Sequence, residues 1–130
     1  MFWLILGIGI VLLVIAGAGR SSHQVQRDPR RSFTAQQRTA IFARAGNQCE
    51  HFNILGRRCT AAPTHADHVI PWSRGGSTTA SNAQALCARH NLIKGSAVVP
   101  TVHIARLERR RRRYFPPGVP VDVVWRTGRG

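Results

Sequence analysis

Cys49, Cys59, Cys87 and His90 set the terms on which this sequence can fold. Cys87 and His90 are separated by two residues, the spacing at which one knuckle offers two ligands to a tetrahedral ion, and three thiolates with one imidazole are a common zinc set. Three cysteines cannot pair off completely into disulfides, whereas a single metal ion accommodates all of them. The first nineteen of the 130 residues are apolar or glycine, which leaves 111 (130 − 19) for one small domain, and a core of that size gains from a staple. Each cysteine alone would also suit a buried apolar position. Together, beside a Cys-x2-His pair, they read as a structural zinc site.

Nineteen Lys and Arg against five Asp and Glu give a formal charge of +14, and because Lys94 is the one lysine, eighteen of the cations are arginine. The planar guanidinium grips phosphate oxygens in pairs, which points to a polyanion and first of all to nucleic acid. The same charge beside an apolar terminus would also suit an anionic membrane surface.

That terminus, Phe2 to Gly19, holds eighteen residues without a charge. As a helix it would span roughly 27 Å, close to the hydrocarbon thickness of a bilayer. Residues 1–19 are therefore read as a transmembrane or signal-anchor segment, although Gly7, Gly9, Gly17 and Gly19 lower its helix propensity. Secretion after cleavage is the alternative: Ala16-Gly17-Ala18 suits a cleavage site, but no Lys or Arg precedes the apolar run. Arg20, Arg27, Arg30 and Arg31 follow the run, and the positive-inside rule then keeps the body of the chain in the cytoplasm, where thiols stay reduced.

Residues 20–33, basic and broken by Pro29, read as a linker; 34–97 as the folded domain; 98–130 as a basic C-terminal extension. Thr34 with Gln37 predicts a capping box, followed by the apolar face of Ala40, Ile41 and Ala45 and a stop at Gly46. From Thr64 a strand should run through Val69-Ile70 to Pro71, then a glycine and serine loop over 73–81, a second strand at Gln84–Leu86, and a short helix opened by Cys87 and closed by Gly95. This is an α+β chain with a β-β-α unit. In the extension, Arg109–Arg113 should continue a helix begun near Val102, and the alternating Val119–Trp125 should form an edge strand. The arginine run is either a solvated face or a grip on phosphates.

Asp67 and His68 are neighbours on the first strand, so their side chains leave on opposite faces and suit different tasks. A carboxylate is a hard ligand for Mg²⁺ or a similar cation, and a histidine near neutrality takes a proton from water. His65 shares the face of Asp67 and is a lesser candidate for supporting it or touching phosphate; His23 and His103 are weaker still.

Taken together, Arg44-Ala45-Gly46-Asn47-Gln48-Cys49-Glu50, Asp67-His68-Val69-Ile70-Pro71, Arg74-Gly75-Gly76-Ser77, Asn82-x-Gln84-Ala85-Leu86-Cys87 and Cys87-x2-His90-Asn91-x2-Lys94 make residues 42–95 resemble the HNH endonuclease family. The resemblance implies a ββα-metal fold stapled by zinc, with His68 as the general base that activates water against a DNA phosphodiester. It implies that Asp67 and Asn91 hold one divalent cation, Mg²⁺ or Mn²⁺, and that Asn82 pins the loop that keeps His68 oriented. The products implied are 5′-phosphate and 3′-hydroxyl ends. Arg74, Arg89 and Lys94 border the motif and are candidates for holding the nucleic-acid backbone without reading sequence.

Two departures stand out. The family's Cys-x2-Cys knuckle is replaced, because Phe52 stands three after Cys49, so either Cys59 or His51 completes the zinc set. The last motif position is Asn91 rather than His, an oxygen donor that suits a hard ion. RNA as substrate remains open. So do two other readings: a non-catalytic zinc-binding nucleic-acid module, and an exported toxin nuclease.

Overall fold

A computed structural model of the protein describes residues 24–126, so the apolar run and the membrane anchor read from it lie outside the described residues. Among the described residues no helix is long and apolar enough to cross a membrane.

Helix α1, Ala35–Arg44, begins where Thr34 Oγ1 accepts from Gln37 N at 3.1 Å and Gln37 Oε1 accepts from Thr34 N at 2.8 Å. The reciprocal cap satisfies two amide donors that a helix start leaves open. Past α1 the chain reverses into a hairpin: Cys49 N donates to Ala61 O, Cys59 N to His51 O, and Asn53 N to Arg57 O. Arg58 ties this hairpin to the end of α1 by donating to the carbonyls of Ala45, Gln48 and Cys49.

Strands β1 (His65–His68) and β2 (Ala83–Leu86) pair antiparallel, with His65 opposite Leu86, Asp67 opposite Gln84 and His68 opposite Ala83. Alternation then sorts the side chains. Ala66, His68, Ala83 and Ala85 share the face that carries α1, where Phe33, Ile41 and Ala45 close the core around Ala83 and Ala85. His65, Asp67, Gln84 and Leu86 share the other face, where Leu86 packs with the thiols of Cys49, Cys87 and Cys59. All four residues of β2 are buried, so the strand is covered on both faces. The first strand ends earlier than expected, at His68: Val69 N still donates to the carbonyl opposite it, that of Asn82, but Ile70 N turns to the Asn82 side chain and leaves the ladder.

Helix α2, Ala88–Lys94, starts at Cys87 and closes the β-β-α unit. Helix α3, Thr101–Arg111, follows Pro100 and takes in the first three residues of the arginine run. Its last residue, Arg111, is 1% exposed and donates from Nε to Glu50 Oε1 at 2.9 Å and from Nη2 to Ala83 O at 2.7 Å. Glu50 also accepts from Ala85 N and Tyr114 OH, so one buried carboxylate joins β2 to the extension. Burial and that carboxylate push the Tyr114 hydroxyl well above its usual range.

The edge strand expected at Val119–Trp125 does not form. That stretch has no regular secondary structure, and its partners are in a turn: Val124 N donates to Ser81 O, Ser81 Oγ to Val124 O, and Ser77 N to Trp125 O. With Pro120 unable to donate and no strand beside it, no ladder can propagate.

Candidate active site and metal cluster

The hairpin and the start of α2 bring Cys49 Sγ, Cys59 Sγ, Cys87 Sγ and a nitrogen of His90 to within 4.8 Å of one another. His90 Nδ1 lies 3.2 Å from Cys87 Sγ and 3.6 Å from Cys49 Sγ. With Zn–S near 2.3 Å and Zn–N near 2.0 Å, a tetrahedral zinc has S···N edges of roughly 3.6 Å, so these four residues fit the ion. Nine residues separate Cys49 from Cys59, yet the hairpin sets the two side by side. His51, the rival ligand, is instead stacked on His90 with ring centroids 3.8 Å apart. Burial pushes the Cys49 thiol up to about 11, whereas the His90 amide pointing at Cys87 lowers the thiol there. Binding of a metal would drive proton loss from the thiols.

Between the strands the loop is held from its last residue. Asn82 is fully buried; its Oδ1 accepts from Ile70 N, and its Nδ2 donates to the carbonyls of Ile70 and Ser77. Gly75 takes φ +87° after the short 3-10 turn at Trp72–Arg74. Gly76 admits no side chain at all, since a Cβ there would lie 1.8 Å from Ile70 O and 2.8 Å from Asn82 Nδ2. The glycine pair is therefore the condition for Asn82 to reach both sides of the loop.

Asp67 leaves β1 toward α2. Its Oδ2 lies 2.8 Å from Lys94 Nζ, an ion pair without hydrogen-bond geometry, and this buried oxygen has no hydrogen bond. Lys94 Nζ also donates to His68 O at 2.7 Å. Lys94, a candidate for holding nucleic acid, is half-buried here and its ammonium rests against Asp67, the anionic partner within reach. Asn91 sits one turn before Lys94 on the same side of α2, half-buried, and its side-chain amide has no hydrogen bond among the described residues. Arg74 and Arg89 are exposed, Arg74 donating from Nε to Ser96 O. His65 is exposed, and its Nδ1 meets the hydroxyl of its neighbour Thr64 at 2.8 Å.

His68 leaves β1 on the opposite face, 8% exposed, under the ring of Phe33 at 4.8 Å. Burial lowers its pKa against the opposing pull of Asp67, so the imidazole is neutral at neutral pH. Its Nε2 meets Thr78 Oγ1 at 3.0 Å. Thr78 in turn donates its hydroxyl to Arg30 O and its amide to Asp28 Oδ2. The stretch expected as a linker therefore lies against the site. Neither Asp28 nor Thr78 stands out in the sequence, apart from Asp28 being one of only five acids.

The arginines divide into two groups. Arg44, Arg58 and Arg111 are spent inside: Arg44 donates to the carbonyls of Ala80 and Ala83, and burial brings its pKa down to about 10. Of the run in the extension, Arg109, Arg112 and Arg113 are exposed.

Searches of curated proteins and of solved structures find no match. The family model for HNH endonuclease matches residues 49–97, from the first thiol of the cluster to just past Lys94. This segment is thus similar to HNH endonuclease domains, its Cys/His cluster is compatible with structural zinc, and the similarity supports a function of the nuclease type acting on nucleic acid.

Proposed function

We infer that the protein is a metal-dependent endonuclease that hydrolyses DNA phosphodiester bonds, with His68 as general base and one divalent cation held by Asp67 and Asn91. The observation that carries this reading is Asp67 Oδ2, a buried carboxylate oxygen without a hydrogen bond, against which a positive charge already rests. With the amide oxygen of Asn91 it makes a hard-donor pair suited to Mg²⁺ or Mn²⁺. The chemistry supplied by such a cation when bound is Lewis-acid stabilisation of the charge that grows on the phosphate and on the leaving 3′ oxygen.

The chain's own part lies on both faces of β1. His68, kept neutral by burial, takes a proton from the attacking water. Asn82 fixes the loop above it through three hydrogen bonds. Arg74 and Arg89, with the exposed arginines of the extension, hold the polyanion by its phosphates. The zinc held by Cys49, Cys59, Cys87 and His90 braces the hairpin against α2 and takes no part in the reaction.

One observation favours the rival reading of a non-catalytic nucleic-acid module: Lys94 already neutralises Asp67. Plasmid nicking with and without added Mg²⁺ or Mn²⁺ decides between them. The endonuclease requires cation-dependent nicking that Asp67→Ala lowers by at least on the order of 100-fold, with DNA binding retained. Binding without nicking in either metal would establish the module instead. The membrane anchor at residues 1–19 belongs to the same proposal, with the domain in the cytoplasm; a reporter fused after Gly130 should be active there, and activity only outside the membrane would favour export.

A further inference from the structure

The hydroxyl of Thr78 has a single proton, and the structure shows where it goes. Thr78 Oγ1 donates to Arg30 O, because a carbonyl oxygen can only accept. Its other contact, with His68 Nε2 at 3.0 Å, must then be one in which Oγ1 accepts and the ring nitrogen donates. A neutral imidazole has one N–H, so His68 Nδ1 keeps the lone pair, and no hydrogen bond to Nδ1 occurs among the described residues. In the opposite tautomer the bare Nε2 would face the lone pairs of Oγ1 unless Thr78 released Arg30 O.

The gap that Thr78 bridges is itself fixed. Asp28 accepts from Thr78 N at 2.9 Å through Oδ2 and from Arg30 N at 2.8 Å through Oδ1, so one carboxylate spans the loop and the N-terminal strap. Those two amides hold the Asp28 carboxyl below its usual range. The strap is pinned beyond Asp28, whose carbonyl accepts from Trp72 Nε1 while the guanidiniums of Arg27 and Arg31 lie 5.0 and 5.5 Å from the centre of the Trp72 ring. Phe33 then covers the imidazole.

We propose that Thr78, clamped to the strap through Asp28 and the Arg30 carbonyl, is the positioning residue that locks His68 in its Nε2–H tautomer, so that Nδ1 is the nitrogen that takes the proton. The proposal rests on the reading of His68 as general base. The proton balance is consistent with it. Water loses a proton to Nδ1 and its oxygen bonds to phosphorus as the P–O3′ bond breaks and its electron pair leaves on the 3′ oxygen, while Nε2–H stays donated to Thr78 in both the imidazole and the imidazolium, so the lock need not reorganise during the step.

Two measurements on the full 130-residue chain test this. The ¹⁵N shifts of the His68 ring, read in the neutral form, should report Nε2–H alone. Thr78→Val should lower kcat by on the order of 100-fold with KM little changed and zinc retained, and Thr78→Ser, which restores the hydroxyl, should recover most of the loss. An Nδ1–H signal in the wild type would overturn the lock. So would wild-type kcat in a folded Thr78→Val, or Thr78→Ser as slow as Thr78→Val. If Thr78→Val does not fold, the wild-type spectrum decides alone. His68→Ala, assayed alongside, separates the two failures. Full cleavage by that variant removes the base role whatever the tautomer, whereas an Nδ1–H spectrum with His68→Ala inactive removes only the lock.

Discussion

Between Cys49 and Lys94 the groups that carry chemistry come in short sequence pairs: Asp67 beside His68, Cys87 three before His90, His90 beside Asn91. In the flanks, the groups that touch this segment come from far along the chain, Asp28 reaching Thr78 across 50 positions and Arg111 reaching Glu50 across 61. The two regions divide the labour. The matched segment holds the Cys/His cluster, Asp67 and His68, and the flanks fix where the β1–β2 loop and β2 sit. The contrast extends to charge, since three carboxylates of the few in a chain of +14 are placed at the joints: Asp28 at the strap, Glu50 under α3, and Glu108 accepting from Val123 N.

The largest effect should come from breaking the segment itself. Cys87→Ala, or prolonged chelation, should release zinc and unfold the domain, because sites of this kind contribute about 10 kcal/mol or more of folding energy. Metal content and a thermal melt read by circular dichroism check it, and a folded protein with full zinc in Cys87→Ala would refute the role. Next comes the C-terminal flank. Arg111→Met leaves Glu50 buried and unpaired, and should cost roughly 3–5 kcal/mol in urea unfolding. The double variant Glu50→Gln with Arg111→Met should recover part of that loss; if Arg111→Met costs less than about 1 kcal/mol, the extension is not joined to the core in the way described.

How much of this the sequence revealed depends on distance along the chain. The Cys-x2-His pair that joins the Cys/His cluster and the cap at Thr34 were legible because each is a local pattern with a fixed spacing. Cys59 against His51 stayed open because the choice depends on a hairpin whose register no short motif encodes. Arg111 is one of five consecutive arginines, and nothing local distinguishes the one that turns inward from the four that do not. The same limit hid the strap, where Pro29 and a run of cations looked like a linker while Asp28 and Arg30 were tied to Thr78. Val119–Trp125 had the alternation of a strand but met only the turn around Ser77–Ser81.

A smaller effect sharpens the comparison at the site. Burial lowers the pKa of His68 below its ordinary 6.5. A base works unprotonated, so cleavage should hold at neutral pH and fall only as pH drops through that lowered value, and a cation at Asp67 would push the same way. A rate profile whose acid limb lies above pH 6.5 would contradict the burial described for His68.

The account turns on His68, and single-turnover cleavage of plasmid DNA by the full chain with Mg²⁺ or Mn²⁺ tests it most directly. His68→Ala should lose at least on the order of 100-fold in rate while keeping its zinc and its melting temperature within a few degrees. Cleavage at the wild-type rate by a folded, zinc-loaded His68→Ala would contradict it.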